Sequence, residues 1–305
     1  MIRRLGKQLK IRLNFLLFKI NREKFLIRKC NKLLGYKINF SNPQTYNEKI
    51  QWLKLYWYDE KAKTCVDKFL VRDYVEKKGY KDILNELYGV YNNFDDINFD
   101  VLPNSYVLKA THNSGDVIIV NENKPLNMKI ARKKLDKLMK TSYFQQSQEW
   151  VYKDLKPRII CEEYIESENN KQAKDYKFFC FEGKVKFLFV ASDRGYSNGK
   201  VTTKFDFYTP EWNKIDVQNG YPQSEYIMDK PKNLDEMIKI AETLSKDFPH
   251  VRVDLYNEYN EIRFGELTFF HFSGTTKFDP FDFDQKFGQF IDLSKIKKTV
   301  YADEK

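Results

Sequence analysis

The run Val251 to Tyr256 and its continuation Ile262 to Phe269 restrict the fold more than any other part of the chain. Val251, Val253 and Leu255 alternate with Arg252, Asp254 and Tyr256, and period-two alternation marks a half-buried strand with one polar face. Arg252 and Asp254 therefore share a face. Asn257 to Glu261 is a polar turn, and Ile262, Phe264, Leu267 and Phe269 give a second apolar run that can return antiparallel to the first. Such a hairpin predicts Asp254 and Glu266 side by side. Paired carboxylates have two readings: solvated charges on an ordinary hairpin, or oxygen ligands for a hard divalent cation that fills its other positions with water and phosphate.

Ser41 to Thr45 is a turn cluster that ends an N-terminal arm. Beyond it the pattern predicts a helix over Tyr46 to Tyr58 and another from Phe69 to Lys78, stopped by Gly79. Strands are predicted at Ser105 to Ala110 and Val117 to Val120, joined by the polar loop Thr111 to Asp116. A Lys-rich helix follows over Pro125 to Tyr143, then a strand over Arg158 to Tyr164. The C-terminal half reads as strands over Tyr176 to Phe181, Lys184 to Ser192 and Val201 to Tyr208, a helix over Leu234 to Phe248, and the hairpin.

Aromatic residues make up 16% and charged residues 31% of the 305, which fits a packed, strand-rich body and excludes a low-complexity solvating chain. The net charge of +10 suggests a nucleic-acid binder until its distribution is considered. Residues 1–34 hold eleven bases and one acid, Glu23, and the remainder balances at 42 of each sign. No basic-aromatic reading surface occurs elsewhere, which argues against nucleic acid. The arm interleaves its bases with Leu5, Leu9, Leu13, Phe15, Leu16, Leu17, Phe18 and Ile20, a pattern suited to amphipathic helices. Its longest apolar run, Phe15 to Phe18, falls far short of the roughly 20 residues needed to cross a bilayer. Two readings fit: a helix lying on the anionic inner face of a membrane, or one packed on the body with a solvated basic face. Cys30, Cys65, Cys161 and Cys180 are widely separated with no C-x-x-C pair, and His112, His250 and His271 lack metal-ligand spacing. The expectation is buried thiols in a reducing cytoplasm.

The loop Thr111-His112-Asn113-Ser114-Gly115-Asp116 follows Lys109 directly. Small residues such as Ser114 and Gly115 let backbone N–H groups approach a polyphosphate, and a nearby lysine adds a compact positive charge; the other reading is a plain hairpin loop. Four pieces then stand in succession: Asp67-Lys68, Val107-Leu108-Lys109 with its loop, Cys161-Glu162-Glu163-Tyr164-Ile165, and Arg252-x-Asp254 through Glu266-x-Thr268. This order resembles the ATP-grasp superfamily. Within it, Asn42-Pro43-x-Thr45-Tyr46-Asn47-Glu48-Lys49-Ile50, Asp67-Lys68-x-x-Val71-Arg72, Leu102-Pro103, Asp175-Tyr176-Lys177-Phe178 and Phe264-Gly265-Glu266-Leu267-Thr268 resemble the TupA-like group, linked to teichuronopeptide and capsular polysaccharide synthesis.

The resemblance implies an α+β ATP-grasp fold in which two α+β subdomains sandwich ATP. The expected organisation is a basic helical arm (1–40), an N-terminal helical region (41–104), a first subdomain with phosphate loop and adenine hinge (105–170), a second with the metal hairpin (171–295), and a tail (296–305). It further implies that Lys68 and Lys109 contact nucleotide phosphates and that Glu162 accepts from the adenine amino group, with the backbone of Glu163, Tyr164 and Ile165 under the base. Glu166 or Glu168 would bind the ribose. Lys177 is either a third phosphate-side lysine or a solvent-facing strand residue. Asp254 and Glu266 would hold magnesium, with Arg252 steadying the transferring phosphoryl group beside Lys109. Thr268 stands where related enzymes usually carry asparagine; a hydroxyl can ligate magnesium, which leaves one or two metals open. Ser273-Gly274 resembles the turn that receives an acceptor carboxylate.

The implied activity is an ATP- and magnesium-dependent carboxylate–amine ligase working through an acyl phosphate. Its substrates would be an amino acid or other amine and a uronic-acid-containing polysaccharide or lipid-linked precursor. A glycosyltransferase using a nucleotide sugar is the alternative, for which Asp282-Phe283-Asp284 is the one Asp-x-Asp element. A kinase and a non-catalytic scaffold with a degenerate site are further readings.

Overall fold

The structure, a computed structural model, describes residues 2–167, 172–197 and 200–305. The arm forms α1 (Ile2–Ile20) and α2 (Arg22–Leu34), which meet at Asn21, whose side chain accepts from the Lys24 backbone N–H at 2.8 Å. Phe18 is buried, Phe15 meets the edge of Phe144 at 5.3 Å, and Lys19 and Arg22 converge on buried Asp303 at 2.5 and 2.7 Å. Arm and tail are thus fastened to each other.

A capping box at Thr45 and Glu48 opens α3 (Tyr46–Tyr56), which ends two residues before the expected Tyr58 because Trp57 turns extended into the core. The helix expected from Phe69 to Lys78 forms as α5 (Val71–Lys77), and a short helix that the hydrophobic pattern does not mark, α4 (Glu60–Val66), precedes it. Asp67 Oδ1 accepts from the Phe69 and Leu70 N–H groups at 2.9 and 3.0 Å, so a side-chain-closed turn separates them.

Next come β1 (Leu87–Tyr91), β2 (Tyr106–Ala110), β3 (Val117–Val120), α6 (Met128–Met139), α7 (Tyr143–Ser147) and β4 (Ile159–Glu163). The helix expected over 125–143 forms as α6, shortened to Met128–Met139 with Asn127 as its cap, and α7, capped by Ser142, follows as a separate helix. These strands form an antiparallel sheet in the order β1-β4-β2-β3, and Ala131, Leu135 and Leu138 of α6 pack on it. Its edge strand β1 is drawn from the 41–104 region.

The chain continues through β5 (Asp175–Phe181), β6 (Lys184–Ser192), β7 (Tyr196–Ser197), β8 (Lys200–Val201), β9 (Lys204–Tyr208), β10 (Lys214–Ile215), β11 (Gln218–Asn219), α8 (Leu234–Ser245), β12 (His250–Glu258), β13 (Glu261–Thr268), β14 (Phe278–Asp279) and α9 (Asp282–Gly288). A second antiparallel sheet runs β10-β9-β6-β5-β12-β13 and buries Phe178, Cys180, Val251, Val253 and Leu255. Each sheet has its own apolar core, and the larger one also takes in α3, α4, α5 and α8. The two sheets are therefore separate α+β lobes. Among the described residues, no helix is long and apolar enough to cross a membrane.

His250 in the larger core pairs Nδ1 with the Cys180 carbonyl at 2.9 Å and Nε2 with the Tyr46 hydroxyl at 3.0 Å, and burial pushes its pKa down to about 4. A depressed folded-state pKa means that below the unfolded value only the unfolded chain takes the proton. The contribution is complete above about 6.5 and is lost as pH falls toward 4. Urea melts at pH 7 and pH 5 are expected to show His250 accounting for about 2 kcal/mol of the acid destabilisation. In His250→Gln that share of the pH dependence disappears.

Candidate active site

The site face of the second sheet follows from register. Arg252, Asp254 and Tyr256 of β12 stand opposite Phe179, Lys177 and Asp175 of β5, and Arg252 and Asp254 stand opposite Thr268 and Glu266 of β13. One cross-strand row is thus Lys177, Asp254, Glu266. The pairing of β12 with β13 shifts between Asp254 and Leu255, because Gly265 is an extra residue, a β-bulge. Ile262 and Phe264 point into the core before the bulge and Leu267 after it, so the phase of the strand reverses. Unbulged alternation would turn Glu266 to the same side as Phe264. Only glycine suits the position, since a Cβ there would lie 2.9 Å from the Asp254 carbonyl oxygen.

Charges on this face are tightly interlocked. The Arg252 guanidinium grips both Asp254 oxygens, Nε to Oδ1 at 2.7 Å and Nη2 to Oδ2 at 2.6 Å, a bidentate fork. Lys177 also contacts Asp254 and reaches Asp175 at 2.5 Å. Burial works against the Arg252 cation, but Asp254 foremost, with Glu266 and Asp175, holds its pKa above the ordinary value. Burial pushes the Asp254 carboxyl up, opposed by Arg252 and Lys177. Arg252 Nη1 donates to His271 Nδ1 at 2.6 Å, and His271 Nε2 faces Asn219 Oδ1 at 2.8 Å, which fixes the neutral ring with its proton on Nε2. Burial, followed by Arg252 and Lys177, depresses the His271 pKa, in keeping with that state.

Glu266 is more open, its side chain 36% exposed. Its Oε2 lies 3.9 Å from Lys68 Nζ, its Oε1 lies 3.7 Å from Arg252, and the Thr268 hydroxyl donates to Oε1 at 3.4 Å. Burial alone would raise its pKa, but Lys68, Lys177, Arg252 and Lys109 outweigh that and hold it below the usual carboxylate range. Lys68 comes from the α4–α5 turn, its backbone N–H on the Thr111 carbonyl at 3.2 Å and its Nζ on the Asn113 carbonyl at 2.5 Å, so it fastens the Thr111–Asp116 loop over the sheet. Burial lowers its pKa.

Between the lobes lies a cavity of about 440 Å³ lined by Lys68, Lys109, Ser114, Gly115, Lys177, Asp254 and Glu266, within the range of small-molecule sites. A narrower cleft adjoins it, walled by Lys68, Arg72, Leu84, Asn85, Lys109, Glu162, Phe264 and Gly265. There Glu162 is engaged by Lys109 at 2.8 Å and by Arg72 at 3.3 Å. Glu163 closes β4 with its N–H on the Glu86 carbonyl at 2.9 Å, and half-buried Tyr164 and Ile165 follow outside the linings of both clefts. Glu166 is exposed, and Glu168 lies outside the described residues.

Ser273 and Gly274 are not brought to the cavity. Ser273 Oγ accepts from Lys54 Nζ at 2.9 Å and donates to the Ser147 carbonyl at 3.2 Å, while Gln51 Nε2 donates to the carbonyls of both residues at 2.7 and 2.8 Å. Their polar atoms fasten the turn to α3 and α7. Four residues to which the sequence assigned no role join the site instead: Arg72, Asn85, Asp175 and His271. Arg72 and Asp175 lie within the motifs Asp67-Lys68-x-x-Val71-Arg72 and Asp175-Tyr176-Lys177-Phe178; Asn85 and His271 carry no local signal.

Donor chemistry and unpaired atoms fit a magnesium nucleotide. Asp254 and Glu266 are adjacent hard-oxygen donors with the Thr268 hydroxyl beside them, and among the described residues no group of three or more His, Cys, Asp or Glu residues offers a richer metal site. Asn85 Oδ1, a buried acceptor without a partner, lines the narrow cleft, where a base amino group could satisfy it.

Two lobes with such a cavity between them define a two-lobed α+β protein with a charged cleft. Residues 48–292 match the family model described as TupA-like ATPgrasp, so the chain belongs to that family and carries its ATP-grasp fold. Its structural likenesses include D-alanine–D-alanine ligase from Bacillus anthracis (17% identity, 67% of this chain, 57% of that one, TM-score 0.39). L-amino acid ligase from Bacillus licheniformis (13%, 69% and 44%, TM-score 0.43) and D-alanine–D-alanine ligase from Helicobacter pylori (16%, 81% and 69%, TM-score 0.42) are similar in the same degree. The match thus spans only 57% of the B. anthracis chain. No curated protein matches the sequence significantly.

The bulge supplies the sharpest test of this geometry. Gly265→Ala is expected to destabilise the chain by about 1–3 kcal/mol in urea melts, the usual cost of overpacking. Magnesium-ATP is expected to raise the melting temperature of the wild type, and Gly265→Ala to abolish that rise.

Proposed function

We propose that the chain is an ATP- and magnesium-dependent ligase that joins a carboxylate to an amine through an acyl phosphate. The observation that carries this reading is the convergence of Asp254 and Glu266 with Lys68, Lys109 and Lys177 on one cavity, in a chain of the TupA-like ATPgrasp family. Bound magnesium-ATP would supply the phosphoryl group, with Asp254 and Glu266 holding the metal. Lys68, Lys109 and the N–H groups around Ser114 and Gly115 are placed to neutralise and orient the phosphates. Lys109 must exchange its bond to Glu162 for one to phosphate, which frees Glu162 toward the base side. Arg252, kept in place by His271 and Thr268, reaches both carboxylates, Asp254 at 2.6 Å and Glu266 at 3.7 Å, and would steady the charge that moves.

An amine substrate with its own carboxylate suits the part of the cavity beside Asp175 and Arg194. The two side chains are ion-paired at 3.4 Å, yet Asp175 Oδ1 and Arg194 Nε have no hydrogen-bond partner, and with Tyr256, Phe205 and Tyr221 they line the cavity, so an ammonium and a carboxylate could each take up one of them. Placement in the synthesis of a cell-surface polysaccharide bearing uronic acids rests on the family's resemblance alone. The nucleotide-sugar reading loses its motif. Asp284 is fully buried and accepts from the Asn47 N–H at 2.9 Å, Asn47 Nδ2 at 2.8 Å and the Tyr36 hydroxyl at 2.8 Å, so it joins α3 to α9 rather than facing a ligand.

Trapping the activated carboxylate as a hydroxamate, with ADP release measured alongside, tests the reading on candidate uronic-acid oligosaccharides. The wild type is expected to form hydroxamate only with ATP and magnesium, and Asp254→Asn and Glu266→Gln to lose at least roughly a hundredfold in rate. Turnover of a UDP-sugar without any ATP-dependent product would contradict it.

A further inference from the structure

Helix α1 has two apolar faces, and only one of them is covered. Phe18 is buried, and half-buried Phe15 packs against Phe144 and stacks with Phe18, so this side attaches the helix to the body. On the opposite side Leu9, Leu13, Leu16 and Ile20 recur at steps of four, three and four residues, the repeat that lines up one helical face. They are 70%, 55%, 61% and 80% exposed, with Leu17 at their flank 46% exposed. Five of the seventeen exposed large apolar side chains among the described residues therefore stand on this one helix. A helix merely packed on the body should show water a basic face; this one shows a hydrocarbon stripe.

Its flanks are basic on both sides. At about 100° per residue, exposed Lys10 borders the stripe on one side and exposed Arg12 on the other, with Lys19 near Arg12 but paired to Asp303. Residues 2–20 contain no Asp or Glu. Exposed Lys24, Arg28 and Lys32 continue the positive charge along α2, whose one acid, Glu23, is engaged by the Tyr56 hydroxyl. An apolar stripe bordered by a base on each side suits a helix lying in a lipid interface, with hydrocarbon inserted and cations at the headgroups. A second protein copy would carry the same positive charge and be repelled.

We propose that α1 is a docking surface for an anionic lipid bilayer: Leu9, Leu13, Leu16, Leu17 and Ile20 enter the acyl boundary while Lys10 and Arg12 meet anionic headgroups. The same helix lends Gln8, Ile11 and Arg12 to one wall of a cleft of about 320 Å³ whose other wall includes Lys140 and Tyr143. That cleft shares Ser114 and Asp116 with the cavity between the lobes. Docking brings the mouth of this passage to the headgroup layer, where a lipid-linked acceptor would present its polar end. This last consequence rests on the ligase reading; the docking does not.

Cosedimentation of the full chain with vesicles, without nucleotide, tests the proposal. Vesicles of equimolar phosphatidylglycerol and phosphatidylcholine are expected to bind it at least roughly tenfold better than phosphatidylcholine alone. Leu13→Glu/Leu16→Glu and Lys10→Glu/Arg12→Glu should each lose roughly tenfold or more of that binding. All these positions are exposed, and circular dichroism with a urea melt confirms that each variant is folded. Equal or absent binding to both vesicle types overturns the proposal, as does full retention by the leucine variant. So does a dimer in the ultracentrifuge that the leucine variant dissolves while vesicles bind nothing. Because no nucleotide is present, failure of the ligase chemistry and failure of docking are read separately.

Discussion

The candidate site depends on one extra residue in an edge strand. Alternation along β13 puts Ile262 and Phe264 into the core and, if it continued unbroken, would send Glu266 there as well. The bulge at Gly265 reverses the phase, so Leu267 fills the core and Glu266 and Thr268 join the face that carries Arg252, Asp254 and Lys177. A side chain at that point would press on the Asp254 carbonyl at 2.9 Å, so the geometry of one metal-side carboxylate is bound to the backbone of the other. The anchorage of Lys68, the approach of the loop above it, and the grip of Arg252 on Asp254 all serve a face that the bulge completes.

That face carries nearly balanced charge, and the balance has a physical use. Four cations, Lys68, Lys109, Lys177 and Arg252, act on Glu266, while Asp254 is already held by two of them. Such a cluster is costly to bury without its full set of partners, and it is ready to trade internal ion pairs for those of a polyphosphate and a divalent cation. Lys109 with Glu162, and Lys177 with Asp254, are the pairs that such a ligand would most directly exchange. Thr268 fits this picture as a hydroxyl that already bridges Arg252 and Glu266, at 3.0 and 3.4 Å.

What the sequence revealed and what it hid divide along the range of each interaction. Most strands were legible as period-two runs bounded by turns, whereas the two-lobed α+β architecture was legible only through the resemblance of the motifs to the ATP-grasp superfamily. The hairpin was legible too, but its bulge showed only as the three-residue step from Phe264 to Leu267 across a glycine. Helices α4 and α7 went unmarked because they are short and start at single side-chain caps, Asp59 and Ser142, that hydrophobic spacing does not record. Strand β1 was missed because its residues are half-exposed and Gly89 interrupts the pattern. Asn85 and His271 reach the site only through tertiary contacts, with Phe264 and with Arg252, that no local motif encodes. The Ser273–Gly274 turn shows the converse. A short stretch resembled a substrate turn, while buried Lys54 and Gln51 use its polar atoms to hold the fold together.

Calorimetric titration of ATP into the wild-type chain, with magnesium and then with EDTA, tests most directly whether the bulged face is a metal–polyphosphate site. The account predicts binding that magnesium strengthens at least roughly tenfold, and that loses this dependence in Glu266→Gln while the nucleotide still binds weakly through the lysines. Equal affinity with and without magnesium in the wild type, or an unchanged magnesium dependence in Glu266→Gln, would contradict it.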